Sequence, residues 1–238
     1  MINSRYLSIE SKCEELFHNR IAVIGNFFSP MVVTEQVNYE VRLGPIEASL
    51  YDYSSTATIF DWDDTLICTS YLKNQMKTQS TSQLKELCDS VDGASADLIT
   101  RCLQLGRVII ITNAALDWVH FSASRFLPSV SPLLKKLTLI SARDLFAAQH
   151  PNDPSTWKRR AFKSLRFRET NLISIGDSII DLQALLTLRC PSLMKTVKFK
   201  SNPTPQELLT ELILLKSRFR TIAVSPTPLR VSMTERSC

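Results

Sequence analysis

From residue 57 the chain alternates short, continuous apolar runs with segments of helical spacing, and no other feature constrains its fold as much. The runs are ATIF (57–60), RVIII (107–111), LTLIS (137–141), NLISI (171–175) and TVKF (196–199). Unbroken runs of this length suit strands buried on both faces, as in a parallel sheet. Between them lie SQLKELCDSV and ADLITRCLQLG, then DWVHFSASRFL, WKRRAFKSLRF and IDLQALLTL, each with apolar residues at helical intervals. Parallel strands need long crossovers, and helices supply them with right-handed connections. The expected fold is therefore α/β, a three-layer, Rossmann-like core around a central, mainly parallel sheet.

The flanks read differently. Residues 1–50 form an N-terminal extension, with a short helix expected at SIESKCEELFHNR. In the same extension Val37, Tyr39, Val41 and Leu43 alternate with Asn38, Glu40 and Arg42, the pattern of a half-buried strand, which Gly44 and Pro45 close. The α/β core is expected over 51–222. The last stretch, SPTPLRVSMTERSC, has no periodicity, so 223–238 read as a flexible tail.

With 44% hydrophobic and 21% charged residues in 238, the chain is too apolar for global disorder. A net charge of +5 favours anionic partners slightly and falls short of a dedicated nucleic-acid binder. The cysteines are scattered without a CxxC pair, which argues against a zinc site or disulfide framework and for reduced thiols. The first residues lack the apolar core of a signal peptide, and no apolar run approaches a membrane span. The expectation is a soluble protein with no membrane partner, cytoplasmic, with the nucleus as the other candidate compartment.

The stretch FDWDDTL sets Asp61, Asp63 and Asp64 within four residues, straight after the first apolar run. Like charges this close repel, and each loses hydration near a packed strand. In open parallel sheets, ligands sit beyond the carboxyl ends of the strands. Thr112 and Asn113 directly follow RVIII, and Gly176, Asp177, Ser178 and Asp181 directly follow NLISI. If these strands are neighbours, the acids meet at one sheet edge. Oxygen ligands with no His or Cys among them favour Mg²⁺ over zinc, and a bound cation offsets the repulsion while leaving positions for a substrate phosphate. Taken singly, Asp61 and Asp63 could be turn acids, and Asp177 and Asp181 could serve a helix dipole.

Four segments, in order, resemble the motifs of the haloacid dehalogenase superfamily. FDWDDTL resembles its first motif, Asp-x-Asp-x-Thr; VIIITN, ending in Thr112 and Asn113, its second; Lys158 in STWKRRAF its third; and GDSIID, Gly176 to Asp181, its fourth. The resemblance covers roughly residues 57 to 200. It implies that Asp61 is the nucleophile and forms an aspartyl-phosphate, while Asp63 serves as general acid and base. It implies that Mg²⁺ is held by Asp61, the main-chain carbonyl of Asp63, and Asp177, with Asp181 in support. Thr112 and Lys158 would hold the phosphoryl oxygens, with Asn113 beside them as a substrate-binding residue. Lys163 is the alternative lysine. The superfamily's dehalogenases and cation pumps lack the second acid, so Asp63 points to a phosphatase. The fourth position of the first motif, often Gly, is here Asp64.

Only about 45 residues separate Thr65 from Thr112, and a similar interval leads to Lys158, so no large cap domain is expected. By analogy, such open-sited members act on large phosphorylated substrates, phosphoproteins or nucleic-acid ends among them. The CTSYL segment is placed to form a flap. The basic run KRRAFKSLRFR reads as the solvated face of a helix whose Trp157, Phe162 and Leu165 face inward, and Trp62 as packing or site wall. Two other readings stay open: a regulatory protein of this fold with little turnover, and a phosphotransferase.

Overall fold

The computed structural model describes residues 55–233. The helix and strand expected within 1–50 lie outside the described residues, as do residues 234–238. Six strands form one parallel sheet: β1 (Thr56–Phe60), β2 (Gly106–Thr112), β3 (Thr138–Ser141), β4 (Asn171–Gly176), β5 (Leu193–Lys198) and β6 (Leu229–Ser232). The helices are α1 (Thr69–Gln75), α2 (Thr81–Leu103), α3 (Leu116–Phe126), α4 (Ala142–Phe146), α5 (Pro154–Ser164), α6 (Ile179–Leu186) and α7 (Pro205–Val224), with a 3₁₀ turn at Ser131–Lys136.

Across the sheet the order is β3-β2-β1-β4-β5-β6. The chain winds outward from β1 in one direction through β2 and β3, then returns to β1's other side for β4, β5 and β6. Successive strands diverge at that reversal, and the crevice beyond their carboxyl ends is where open α/β sheets bind ligands. Phe60 pairs in register with Ile110 of β2 and Ile175 of β4, so the ends of these strands are level.

Side chains alternate across each strand. Ala57, Ile59, Ile109, Ile111 and Leu172 pack with Ala142 of α4, Ala161 and Phe162 of α5, and Ala184 and Leu185 of α6. On the opposite layer α2 packs along α7 and against α3. The architecture is a Rossmann-like, three-layer α/β core. The intervals from β1 to β2 and from β2 to α5 are filled by the elements above, and no large cap is inserted. Among the described residues, no helix is long and apolar enough to cross a membrane.

Four details depart from the sequence expectation. The two helices expected between β1 and β2 are one, the 23-residue α2, which runs through Gly93. A glycine costs a helix about 1 kcal/mol relative to Ala, and packing against α7 outweighs that. The helix α7 was not among the expected elements, although Thr204-Pro205-Gln206-Glu207 carries a start signal: the Thr204 hydroxyl accepts the Glu207 N–H and the Glu207 carboxylate accepts the Thr204 N–H. β5 begins at Leu193, earlier than TVKF, and takes in Lys195, which is buried with its Nζ donating to Ala223 O at 2.7 Å. Finally, the expected tail from 223 is wrong over its first part. The helix continues to Val224, and Leu229–Ser232 adds a sixth strand whose Leu229 pairs with Lys195. A four-residue edge strand with alternating half-buried and exposed residues is too short to give a period in sequence.

Candidate active site

Asp61 is the first residue beyond β1, and its N–H donates to Ile175 O at 2.9 Å, which carries the β1–β4 ladder one step further. Its place in the alternation matches Ala57 and Ile59, which face the α4–α6 layer. From that layer Lys158 meets it. Helix α5 starts with Asp153 as its cap, accepting the Thr156 N–H at 2.9 Å, and Pro154 in its first turn. One turn on, Lys158 is 2% exposed, and its Nζ donates to Asp61 Oδ1 at 2.6 Å and Asp181 Oδ1 at 2.8 Å. Lys163 lies on the exposed face with Arg159 and Arg160, while Phe162 is buried, so the basic run is a solvated face as expected.

Asp181 belongs to the first turn of α6. Its Oδ2 accepts the Ser178 N–H at 3.1 Å, half of a capping box, while Oδ1 faces Lys158. This requires Gly176: a Cβ there would stand 2.4 Å from Asp181 Oδ2. Asp177 is fixed through its backbone. Its N–H donates to Thr65 Oγ1 at 3.1 Å, and its carbonyl accepts the Ser201 hydroxyl at 2.6 Å and the Lys198 ammonium. Carboxylate oxygens of Asp61, Asp177 and Asp181 lie within 4.8 Å of one another.

The cluster is short of positive charge. Burial, followed by repulsion from Asp61, Asp181 and Asp64, pushes the Asp177 carboxyl up to about 7. Burial also pushes Asp181 upward, against the pull of Lys158. For Lys158 burial acts to lower the amine, and Asp181 and Asp61 outweigh it, holding it charged well above the usual range. The Lys158 ammonium pairs with two of these three carboxylates, Asp61 and Asp181, and every ligand atom on offer is an oxygen. Such a set suits a hard divalent cation of the Mg²⁺ type.

Asp63 and Asp64 are held by other partners. Asp64 adopts φ +55, the left-handed conformation that Gly takes without strain and Asp tolerates. Its buried carboxylate accepts the Ser70 N–H at 2.9 Å and the Ser70 hydroxyl, tying it to the start of α1. Asp63 Oδ1 accepts the Thr69 hydroxyl at 2.5 Å and the Trp118 indole N–H at 2.9 Å. The CTSYL segment is therefore the beginning of α1, and it holds both acids. Burial raises the Asp63 carboxyl, and the Thr69 and Trp118 bonds work against that rise.

Thr112 ends β2, 1% exposed, with its Oγ1 accepting the Ala114 N–H at 3.0 Å. Its hydroxyl proton has no acceptor among the described residues. Asn113, expected to bind substrate, donates Nδ2 to Pro154 O at 3.2 Å, so it also anchors the β2 loop to α5. Its Oδ1 is buried without a partner among the described residues. Turning the amide over would set that oxygen against the Pro154 carbonyl. Trp62 is packing: fully buried, it donates Nε1 to Ser122 Oγ at 3.0 Å.

Four residues of the site were not expected from sequence: Thr69, Trp118, Lys198 and Ser201. Thr69 had a signal, because it lies in the segment already placed beside the acids. Trp118 had none, since it reads as one apolar residue of a helix. Comparison with family models, with curated proteins and with solved structures gives no match to this chain.

Proposed function

We propose that the chain is a Mg²⁺-dependent phosphomonoester hydrolase of the haloacid dehalogenase type, working through an aspartyl-phosphate on Asp61. The observation that carries this reading is the Lys158 bond to Asp61, with Asp177 and Asp181 beside it at the crevice between β1 and β4. A lysine held this way orients a carboxylate for attack and offers positive charge to whatever Asp61 attacks.

The phosphoryl group seats its oxygens toward the Lys158 ammonium and the Thr112 hydroxyl. Asp61 attacks phosphorus, the bond to the leaving oxygen breaks, and Asp63 gives that oxygen its proton. Asp63 then takes a proton from water; the water oxygen attacks phosphorus, the bond to Asp61 breaks, and inorganic phosphate leaves. Asp61, the Asp63 carbonyl and Asp177, with Asp181 in support, would hold Mg²⁺, which would supply neutralising charge to the phosphoryl oxygens. Phosphoryl transfer asks mainly for positioning and electrostatics, which these residues supply.

No large cap is inserted among the described residues, which supports a large substrate, a phosphoprotein ahead of a nucleic-acid end. The free Cys68, Cys88, Cys102 and Cys190 fit a reducing compartment, cytoplasm or nucleus. The test is phosphate release from a panel of phosphomonoesters and phosphopeptides, with Mg²⁺ or EDTA, for wild type and Asp61→Asn. Release that needs both Mg²⁺ and Asp61 supports the reading. No release from a protein that binds Mg²⁺ replaces it with a regulatory scaffold, and turnover that rises with added alcohol replaces it with a phosphotransferase.

A further inference from the structure

The two oxygens of the Asp63 carboxyl have unlike surroundings. Oδ1 accepts two hydrogens, from Thr69 Oγ1 at 2.5 Å and Trp118 Nε1 at 2.9 Å. Oδ2 accepts none among the described residues. A proton on Oδ1 would crowd against two hydrogens already aimed at that oxygen. A proton carried by Asp63 therefore resides on Oδ2, on the far side of the carboxyl from both donors. An indole N–H can only donate, so Trp118 cannot exchange roles with its acceptor as a hydroxyl could.

The indole is itself held from two elements. Phe121, three residues on in α3, packs against it with ring centroids 5.9 Å apart and planes tilted by 35°. Lys73, one turn past Thr69 in α1, sets its ammonium over the ring, 5.9 Å from the centroid. A cation over the face draws electron density from the indole, which strengthens its N–H as a donor. Thr69 from α1 and Trp118 from α3 thus grip one oxygen of one acid, while Lys73 and Phe121 hold the indole.

We propose that Trp118 is a positioning residue for Asp63: with Thr69 it occupies Oδ1 and keeps the transferable proton on Oδ2, presented to the leaving oxygen. The inference rests on the phosphatase reading and extends it to a residue outside the motifs. It assigns Trp118 an effect that depends on the leaving group. Poor leaving groups need the proton as the bond to phosphorus breaks, and activated ones do not.

The experiment measures kcat/KM, which reports transfer to Asp61, for a graded series from nitrophenyl phosphate through phenyl phosphate to alkyl phosphates. Wild type, Trp118→Phe, Thr69→Val and Asp63→Asn are compared with Mg²⁺ present. Trp118→Phe keeps an aromatic ring and removes the N–H. It is expected to lose about 10²-fold on alkyl phosphates, toward the lower end of what a general acid contributes, and to keep nitrophenyl phosphate activity. Thr69→Val is expected to steepen the dependence in the same direction, with Asp63→Asn as the limit. A retained kcat/KM on nitrophenyl phosphate is also the check that Trp118→Phe and Thr69→Val fold. Equal loss on every ester, or a series parallel to wild type in both variants, overturns the positioning role while the phosphatase reading stands. No Mg²⁺- and Asp61-dependent release by wild type overturns both.

Discussion

The Lys158 ammonium bonds Asp61 Oδ1 at 2.6 Å across 97 residues of sequence, and the same ammonium lies 2.8 Å from Asp181 Oδ1. Both contacts are sheltered from solvent, with Lys158 2% exposed. Removing one member of a buried ion pair costs about 3–5 kcal/mol, because the other charge is left uncompensated. Lys158→Met is expected to fall within that range by chemical denaturation. It should also abolish most phosphate release, by about 10²–10³-fold, the usual loss when a donor to developing charge is removed. Lys158→Met with Asp181→Asn should recover stability without recovering activity. A double variant no more stable than Lys158→Met would show that the ion pair is not the source of the loss.

Asp177 stands in the opposite position, a carboxylate whose surroundings disfavour its charge. Its folded carboxyl is raised from 3.8 to about 7, so the folded state keeps a proton that the unfolded state loses. The associated stability is present below pH 3.8 and is lost as pH rises through about 7. Asp177→Asn removes that loss and is expected to stabilise the metal-free protein at pH 8 by about 2 kcal/mol. If Mg²⁺ binds here as proposed, the same substitution should abolish its stabilisation, which for wild type would reach about 2.7 kcal/mol at a hundred times Kd. Thermal melts with Mg²⁺ or EDTA, for both proteins, measure both effects.

Glu211 on α7 offers a second pH dependence, away from the acid cluster. It is 5% exposed; Oε1 accepts the Lys200 N–H at 2.7 Å and Oε2 has no partner among the described residues. Burial, with a smaller push from Glu207, raises its carboxyl to about 7 against the pull of Lys198 and Lys200. The folded state again holds the extra proton, so stability falls between pH 4.5 and about 7. Glu211→Gln should flatten that interval and gain on the order of 2 kcal/mol at pH 8. Urea midpoints from pH 4.5 to 8 for the two proteins give the comparison; parallel curves would remove Glu211 as the source.

Gly93, in the middle of α2, has nothing within 4 Å of where a Cβ would stand. Gly93→Ala is expected to stabilise the protein by about 1 kcal/mol, by restricting the unfolded chain and improving helix propensity. A denaturation midpoint at or below the wild-type value would contradict it.

By itself the sequence determined the inner sheet and the ends of its strands. ATIF, RVIII and NLISI are continuous apolar runs because β1, β2 and β4 are covered on both faces, and a doubly covered strand has no polar side to interrupt the pattern. Asp61, Thr112, Asp177 and Asp181 were legible for the same reason, since each follows such a run at a carboxyl end. What reaches the site from elsewhere was not. Lys158 and Lys163 read alike on one helix, and only packing buries the first and exposes the second. β6 has one neighbour and four residues, Lys195 breaks the apolar pattern of β5, and Trp118 is joined to Asp63 by a bond spanning 55 residues. Periodicity reports how a segment meets its surroundings on average. Which side chain meets which atom is decided when separate elements close on one another, and only the tertiary structure holds that information.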